Sequence, residues 1–287
     1  MRTKETTTYA TLQVGVILSA SSLERHDIPR IVRIGQADST FEVMAFSATW
    51  LDAALEGQLN ARLVRLAHAD GENTLPFLLG LEDDAFSNGL DYLPDVVCPV
   101  AGTVKRIKEL ISEIRTYPLR AFVTNVFQRR DVVNTFWTMP ASGRDHHSYA
   151  GGLAVHSCEV ADDLAVHLGL TEVEADLGIA GSLLHDIGKV WSYTDDMFPN
   201  AASLAMGHEL VGLCRLEPEL AQLEQAWPDG AYVMRGLLSG NSRMRDNGSL
   251  PSALLQRIKA CDQRSCERER ASNGIRRSSR PVWTPSA

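Results

Sequence analysis

The segment Gly178 to Lys189 reads GIAGSLLHDIGK and sets an imidazole beside a carboxylate at His185-Asp186. Neutral nitrogen paired with anionic oxygen suits borderline divalent ions such as manganese, iron, cobalt or zinc. Neighbours on a helix point about 100° apart, so this doublet holds a metal only if other elements bring further ligands to it. Upstream stands HHSYAGGLAVH, with His146, His147 and His156; downstream come GHE, with His208, and KACD, ending in Asp262. Together they make a distributed H…HD…H…D pattern.

Three helices must position those groups. The first, Gly152 to Leu168, places His156, Val160 and Leu164 on one stripe, so His156 faces the core. His167 shares that azimuth but lies about 16 Å further along the axis, too far to share an ion; it reads as structural or solvent-facing. Thr171 with Glu174 forms a capping box that opens the second helix, expected to run to Gly188 and to carry the doublet. The third starts near Pro251 and puts Leu254, Leu255, Ile258 and Asp262 on a common face. A carboxylate on an apolar face costs too much unless it is paired or metal-bound, which supports Asp262 as a ligand independently of the doublet.

Further helices are expected at Val104 to Ile114, from Pro118, at Asp131 to Thr138, from Ala201 to Leu216, from Pro218 to Ala226, and after a Trp227-Pro228-Asp229-Gly230 turn. Residues 1–83 read differently. Apolar runs at Tyr9 to Leu18, Ile28 to Ile34, Thr40 to Phe46, Gln58 to Ala67 and Thr74 to Leu81 predict five strands, with a short helix at Ala48 to Leu55 between the third and fourth. That order is the one of an OB-fold, a small barrel often used for single-stranded nucleic acid. Tyr9, Arg30, Arg33, Phe41, Phe46 and Trp50 are the residues available for such contacts, although several must fill the barrel. The Pro- and Gly-rich stretch 84–102 reads as a linker. Residues 103–266 form the helical domain, and 267–287 a basic, unstructured tail. The fold class expected is therefore multidomain, a small all-β OB-like barrel followed by an all-α domain.

A net charge of −8 argues against a general nucleic-acid coat, but leaves room for a nuclease whose metal supplies positive charge locally. Five scattered cysteines without a CxxC pair point to a reduced, cytoplasmic setting. Cys261 and Cys266 read as helix-packing residues rather than zinc ligands. The segment MRTKETTTYA has no apolar run of signal-peptide length, and no window reaches the length of a membrane span. A soluble protein with no membrane partner is expected, free to form a homo-oligomer.

The pattern resembles the HD-domain superfamily of metal-dependent phosphohydrolases. By that resemblance His156, His185, Asp186 and Asp262 hold the metal. The run LRAFV…F…MPAS…HHSYAGGLAVHS…AGSLLHDIGK…GHE is similar to the HD domains of YhaM-type 3′→5′ exoribonucleases, which carry an OB-fold ahead of a helical HD domain. It is also similar to the HD-containing TraI-type domain of relaxase-like proteins from integrative conjugative elements. One departure stands out: two-metal members carry a further His between the GH motif and the distal Asp, where this chain reads Arg235 to Ser242 without one. Either one metal is bound, or Asn241, Asp246 or a water replaces that ligand.

The resemblance implies a divalent ion, manganese first, with iron, cobalt, nickel, zinc or magnesium as alternatives. The reaction it implies is phosphoester hydrolysis of single-stranded RNA or DNA. Asp186 then binds metal and positions the nucleophile, while Lys189 and Arg144 neutralise developing charge. His208 binds a second ion or a substrate phosphate; His147 is a ligand neighbour or general acid, and His146 orients the loop. Two other readings are a DNA-processing or binding component of a mobile element with a reduced metal set, and a nucleotide phosphohydrolase.

Overall fold

The computed structural model describes residues 8–22, 25, 27–46, 49–69, 74–166, 169–194, 196–240 and 250–272. A five-stranded sheet precedes a helical region. The strands are β1 (Thr8–Ala20), β2 (Arg30–Gln36), β3 (Ser39–Ala45), β4 (Arg62–Ala69) and β5 (Phe77–Asp83), with α1 (Thr49–Ala54) between β3 and β4. Antiparallel pairing joins β1 to both β2 and β4, β2 to β3, and β4 to β5. The ring is completed between β3 and β5 by one parallel pair, Met44 with Phe77.

Alternation decides which side chains enter. Val32 and Ile34 of β2, Val43 and Ala45 of β3, and Val64 and Leu66 of β4 point inward with Ile17 and Leu51. Phe41 and Trp50, considered above for nucleic-acid contacts, pack against this core instead. Arg30 is taken up by the Ser21 carbonyl and Asp52. Tyr9, Arg33 and Phe46 remain exposed.

Stretch 84–102 is more ordered than a linker. Two 3-10 turns, Gly89–Tyr92 and Asp95–Val97, bury Leu90, Leu93 and Cys98 among the helices. The contiguous apolar spacing hid this, because single leucines between prolines carry no period. Leu59 bridges from the sheet into the helical core, and its N–H donates to the Gln128 carbonyl at 2.6 Å. Arg130 fastens the same junction. Its buried guanidinium donates to the carbonyls of Ile17, at 2.6 Å, and Ala54. Burial, with Arg62 nearby, pulls its pKa down to about 10.

The helical region holds α2 (Thr103–Glu113), α3 (Tyr117–Gln128), α4 (Arg130–Thr135), α5 (Gly152–Ala165), α6 (Glu172–Leu184), α7 (Lys189–Ser192), α8 (Ala201–Met206), α9 (His208–Arg215), α10 (Glu217–Ala226), α11 (Pro228–Leu238) and α12 (Leu250–Ser272). The capping box forms as expected: Glu174 N donates to Thr171 Oγ1 at 3.3 Å, and Thr171 N to Glu174 Oε2 at 2.7 Å. Buried Asp176 on the same helix accepts from the backbone N–H groups of Arg115 and Thr116 and from the Thr116 hydroxyl, fixing the α2–α3 turn.

Four expectations move. Helix α6 ends at Leu184 rather than Gly188, leaving the doublet in the turn that follows it. The segment from Ala201 breaks into α8 and α9 at Gly207, whose φ of 81° disfavours a side chain. Trp227 to Gly230 is not a free turn, since Pro228 opens α11 in the first-turn position that prolines favour. Helix α12 runs to Ser272, past the expected end at 266, held by Arg268 to Asp163 and Arg270 to Asp145. Residues 273–287, His167, Asn241 and Asp246 lie outside the described residues. Among the described residues no helix is long and apolar enough to cross a membrane.

Candidate metal centre

Three elements meet where the sequence pattern placed them. His156 on α5 is fully buried, His185 and Asp186 follow α6, and Asp262 comes from α12. The ligand atoms of His156, His185 and Asp186 all lie within 4.8 Å of one another. His156 Nε2 is 3.3 Å from His185 Nε2, 3.1 Å from Asp262 Oδ1 and 3.7 Å from Asp186 Oδ2; His185 Nε2 is 3.5 Å from that same Asp186 oxygen.

Hydrogen-bond accounting shows what these atoms lack. The Ser182 carbonyl can only accept, so His185 Nδ1, 2.7 Å away, donates to it and the neutral ring keeps a lone pair on Nε2. The Ser265 hydroxyl donates to Glu159 Oε2 at 2.7 Å, so its oxygen accepts from His156 Nδ1 at 3.1 Å. His156 Nε2 is then a lone pair too. Two bare ring nitrogens then face each other and two carboxylates with no imidazole N–H between them, an arrangement that suits a cation. Burial works against a charged His185, yet the Asp186 carboxylate raises its pKa. Burial lowers the pKa of His156.

Asp186 is held from both sides. Lys189 Nζ donates to Asp186 Oδ2 at 2.6 Å and to the Ala141 carbonyl at 2.8 Å, and His208 Nε2 lies 2.9 Å from Asp186 Oδ1. Burial alone would raise the carboxyl, but Lys189 and His185 keep it well below the usual range. Burial likewise opposes the charge on Asp262, and the neighbouring His156 and His185 imidazoles outweigh it, keeping its pKa below the usual value. Lys189 is itself buried and spends its donors inward, so its place is to hold Asp186 and the 141 loop rather than to meet a substrate.

Both paired histidines reach the His156 ring, His146 at 5.2 Å and His147 at 5.3 Å between centroids, on different partners. His147 lies one step behind the centre, its Nε2 3.2 Å from Ser265 Oγ and its Nδ1 3.0 Å from the Tyr149 hydroxyl. His146 lies beside the centre, its ring 5.2 Å from that of His156. Arg144 is exposed on the loop and has no hydrogen bond or ion pair among the described residues.

Glu159 and Ser265 were missed in the sequence. Each lies three residues beyond a candidate ligand on the same helix, Glu159 after His156 and Ser265 after Asp262, and that spacing returns to the same face. Partners of this kind fix an imidazole's tautomer and tune its affinity for metal. Ser265→Ala is expected to weaken metal binding about 10- to 100-fold while leaving the fold intact, measured by titrating metal-stripped protein with manganese. Equal affinity in the two proteins would show that Ser265 does not orient His156.

No protein-family model matches this chain, and no solved structure matches it.

Proposed function

We propose that this protein is a metal-dependent phosphohydrolase of the HD type, acting as a phosphodiesterase on single-stranded nucleic acid. The observation that carries the reading is the meeting of two imidazole lone pairs, His156 Nε2 and His185 Nε2, with the carboxylates of Asp186 and Asp262. A divalent ion bound there would lower the pKa of its water towards neutrality and polarise a phosphoryl oxygen. The chain's own residues do the rest. Lys189 and His208 hold the Asp186 carboxylate at a fixed angle, and Glu159 with Ser265 fixes the His156 ring. Asp262 and His208 keep part of their side chains in solvent, so a phosphoester can approach from that side. In this reading His208, partly open to solvent, contacts the substrate phosphate.

The OB-like reading of the sheet supports single-stranded nucleic acid as the substrate class. Tyr9 stacks on His68 with centroids 4.7 Å apart, and Phe46 on Phe77 at 6.1 Å. Tyr9 is 54% exposed and Phe46 51%, enough open ring face for a base to stack against. Exposed Arg33 adds a cation on the same sheet.

The test is metal analysis of the purified protein, followed by incubation of wild type and Asp262→Asn with manganese and end-labelled single-stranded RNA or DNA. Bound metal and 3′-end shortening, both lost in Asp262→Asn, support the nuclease. Turnover of mononucleotides alone would move the reading to a nucleotide phosphohydrolase. A folded protein that takes no metal and cuts nothing would leave a binding component of the TraI-like kind.

A further inference from the structure

A second set of ligand atoms shares His156 with the first. His146, His156 and Cys266 offer ligand atoms that all lie within 4.8 Å of one another. Cys266 sits one helical turn beyond Asp262 on α12, and its Sγ is 3.5 Å from Asp262 Oδ1. The thiol is 6% exposed. His146 brings an independent sign: its Nδ1 is buried without a hydrogen-bond partner. Asp145, the nearest carboxylate at 3.8 Å, is occupied by Arg270. A buried ring nitrogen beside a thiol, a carboxylate and another imidazole is short of a partner that a cation would provide.

We propose that Cys266 and His146 form, with His156 and Asp262, a sulfur-containing ligand set that takes zinc in place of the ion held by His156, His185, Asp186 and Asp262. The inference rests on reading those four residues as a metal centre. Two imidazoles, one thiolate and one carboxylate make the four-coordinate set that closes around zinc. Closing the 4.8 Å span onto one ion at about 2.0–2.3 Å from each ligand needs side-chain adjustments of about an ångström. As the sulfur–metal bond forms, the thiol releases its proton to solvent.

The two sets exclude each other. His156 commits Nδ1 to Ser265 and has Nε2 alone to give, so an ion bound by His146 and Cys266 withdraws His156 from the doublet. Thiolate favours zinc, whereas carboxylate and imidazole accept manganese. One histidine therefore switches the site between an open oxygen- and nitrogen-lined state and a closed, sulfur-bound one.

Cobalt reports which set is filled. Full-length, metal-stripped protein is titrated with cobalt chloride and followed by absorption. Visible bands from the ion together with a near-ultraviolet sulfur-to-cobalt band are expected for wild type. In Cys266→Ser the sulfur band should vanish while the visible bands persist, and the preference for zinc over manganese should fall about tenfold or more. His146→Gln, a change on the loop rather than within a helix, should weaken the sulfur band and serves where Cys266→Ser fails to fold by circular dichroism. Cobalt binding without a sulfur band, or a band unchanged in Cys266→Ser, would overturn the inference and leave the first ligand set standing. No cobalt absorption at all would overturn both.

Discussion

Asp186→Ala is expected to lose about 3–5 kcal/mol of folding stability and, if the proposed centre holds a metal, its capacity to bind it. In Asp186→Ala/Lys189→Met the metal should still be lost while most of that stability returns. The reason lies in the buried pair. Lys189 Nζ is 2.6 Å from Asp186 Oδ2, and both side chains are only 10% exposed. Removing the carboxylate alone strands an ammonium whose remaining partner is the Ala141 carbonyl. Removing both charges leaves an apolar side chain in a shielded place, a change that is often close to neutral. Urea unfolding of the two single variants and the double variant isolates the coupling, and metal analysis separates it from ligation.

The pH dependence has a definite sign. Asp186 has a depressed pKa, so its contribution is full above the unfolded value of about 3.9 and is lost as pH falls through the lower folded value. Lys189 has a raised pKa, because Asp186 outweighs burial, so its contribution is full below about 10.4 and is lost as pH rises through the higher folded value. The stability gap between wild type and Asp186→Ala should therefore persist at neutral pH and narrow in strong acid. An Asp186→Ala protein as stable as wild type at pH 7 would mean that the pair contributes nothing.

Much of this arrangement was legible in the residues. Strand alternation places Val32, Ile34, Val43 and Val64 inside, and the five strands occur in the expected order with α1 after the third. The stripe on α5 carries His156 inward, and Asp262 stands with Leu254, Leu255 and Ile258 on α12 as a period of 3.6 requires. What periodicity does not carry is where a side chain goes once it leaves its helix. Lys189 reads in sequence as a cation past a helix end, and only the fold shows it turned back onto Asp186. His146 and His147 are adjacent, and spacing does not show that both reach His156; the loop backbone, with His147 at a φ of 44°, brings the two rings to 5.2 and 5.3 Å from it. The break at Gly207 and the ordered stretch 84–102 depend on neighbours far along the chain.

Gly188→Ala should be among the most damaging single changes outside the ligands, because here two helices approach with no room for a side chain. A Cβ on Gly188 would stand 1.9 Å from the His208 carbonyl oxygen and 2.9 Å from the Gly212 nitrogen. Gly212 faces back, its own Cβ position 2.9 Å from the Gly188 Cα. The conformation of Gly188 itself is ordinary, with φ −60°, so the constraint is contact and not strain. The obstacle is backbone on both sides, so α9 must move as a unit. That movement carries His208 away from Asp186, to which it is joined at 2.9 Å. Overpacking a tight contact costs about 1–3 kcal/mol and sometimes more, and a backbone clash this close belongs at the upper end. Gly80→Ala is the control, since nothing lies within 4 Å of its Cβ position. Urea midpoints should fall sharply for Gly188→Ala and hardly for Gly80→Ala. Under the proposed function, hydrolysis by Gly188→Ala should fall further than metal binding, because His156, His185 and Asp262 keep their places while His208 does not. If Gly188→Ala were as stable as wild type, with His208 still on Asp186 by imidazole NMR, α9 would not be seated against the doublet turn as closely as these distances require.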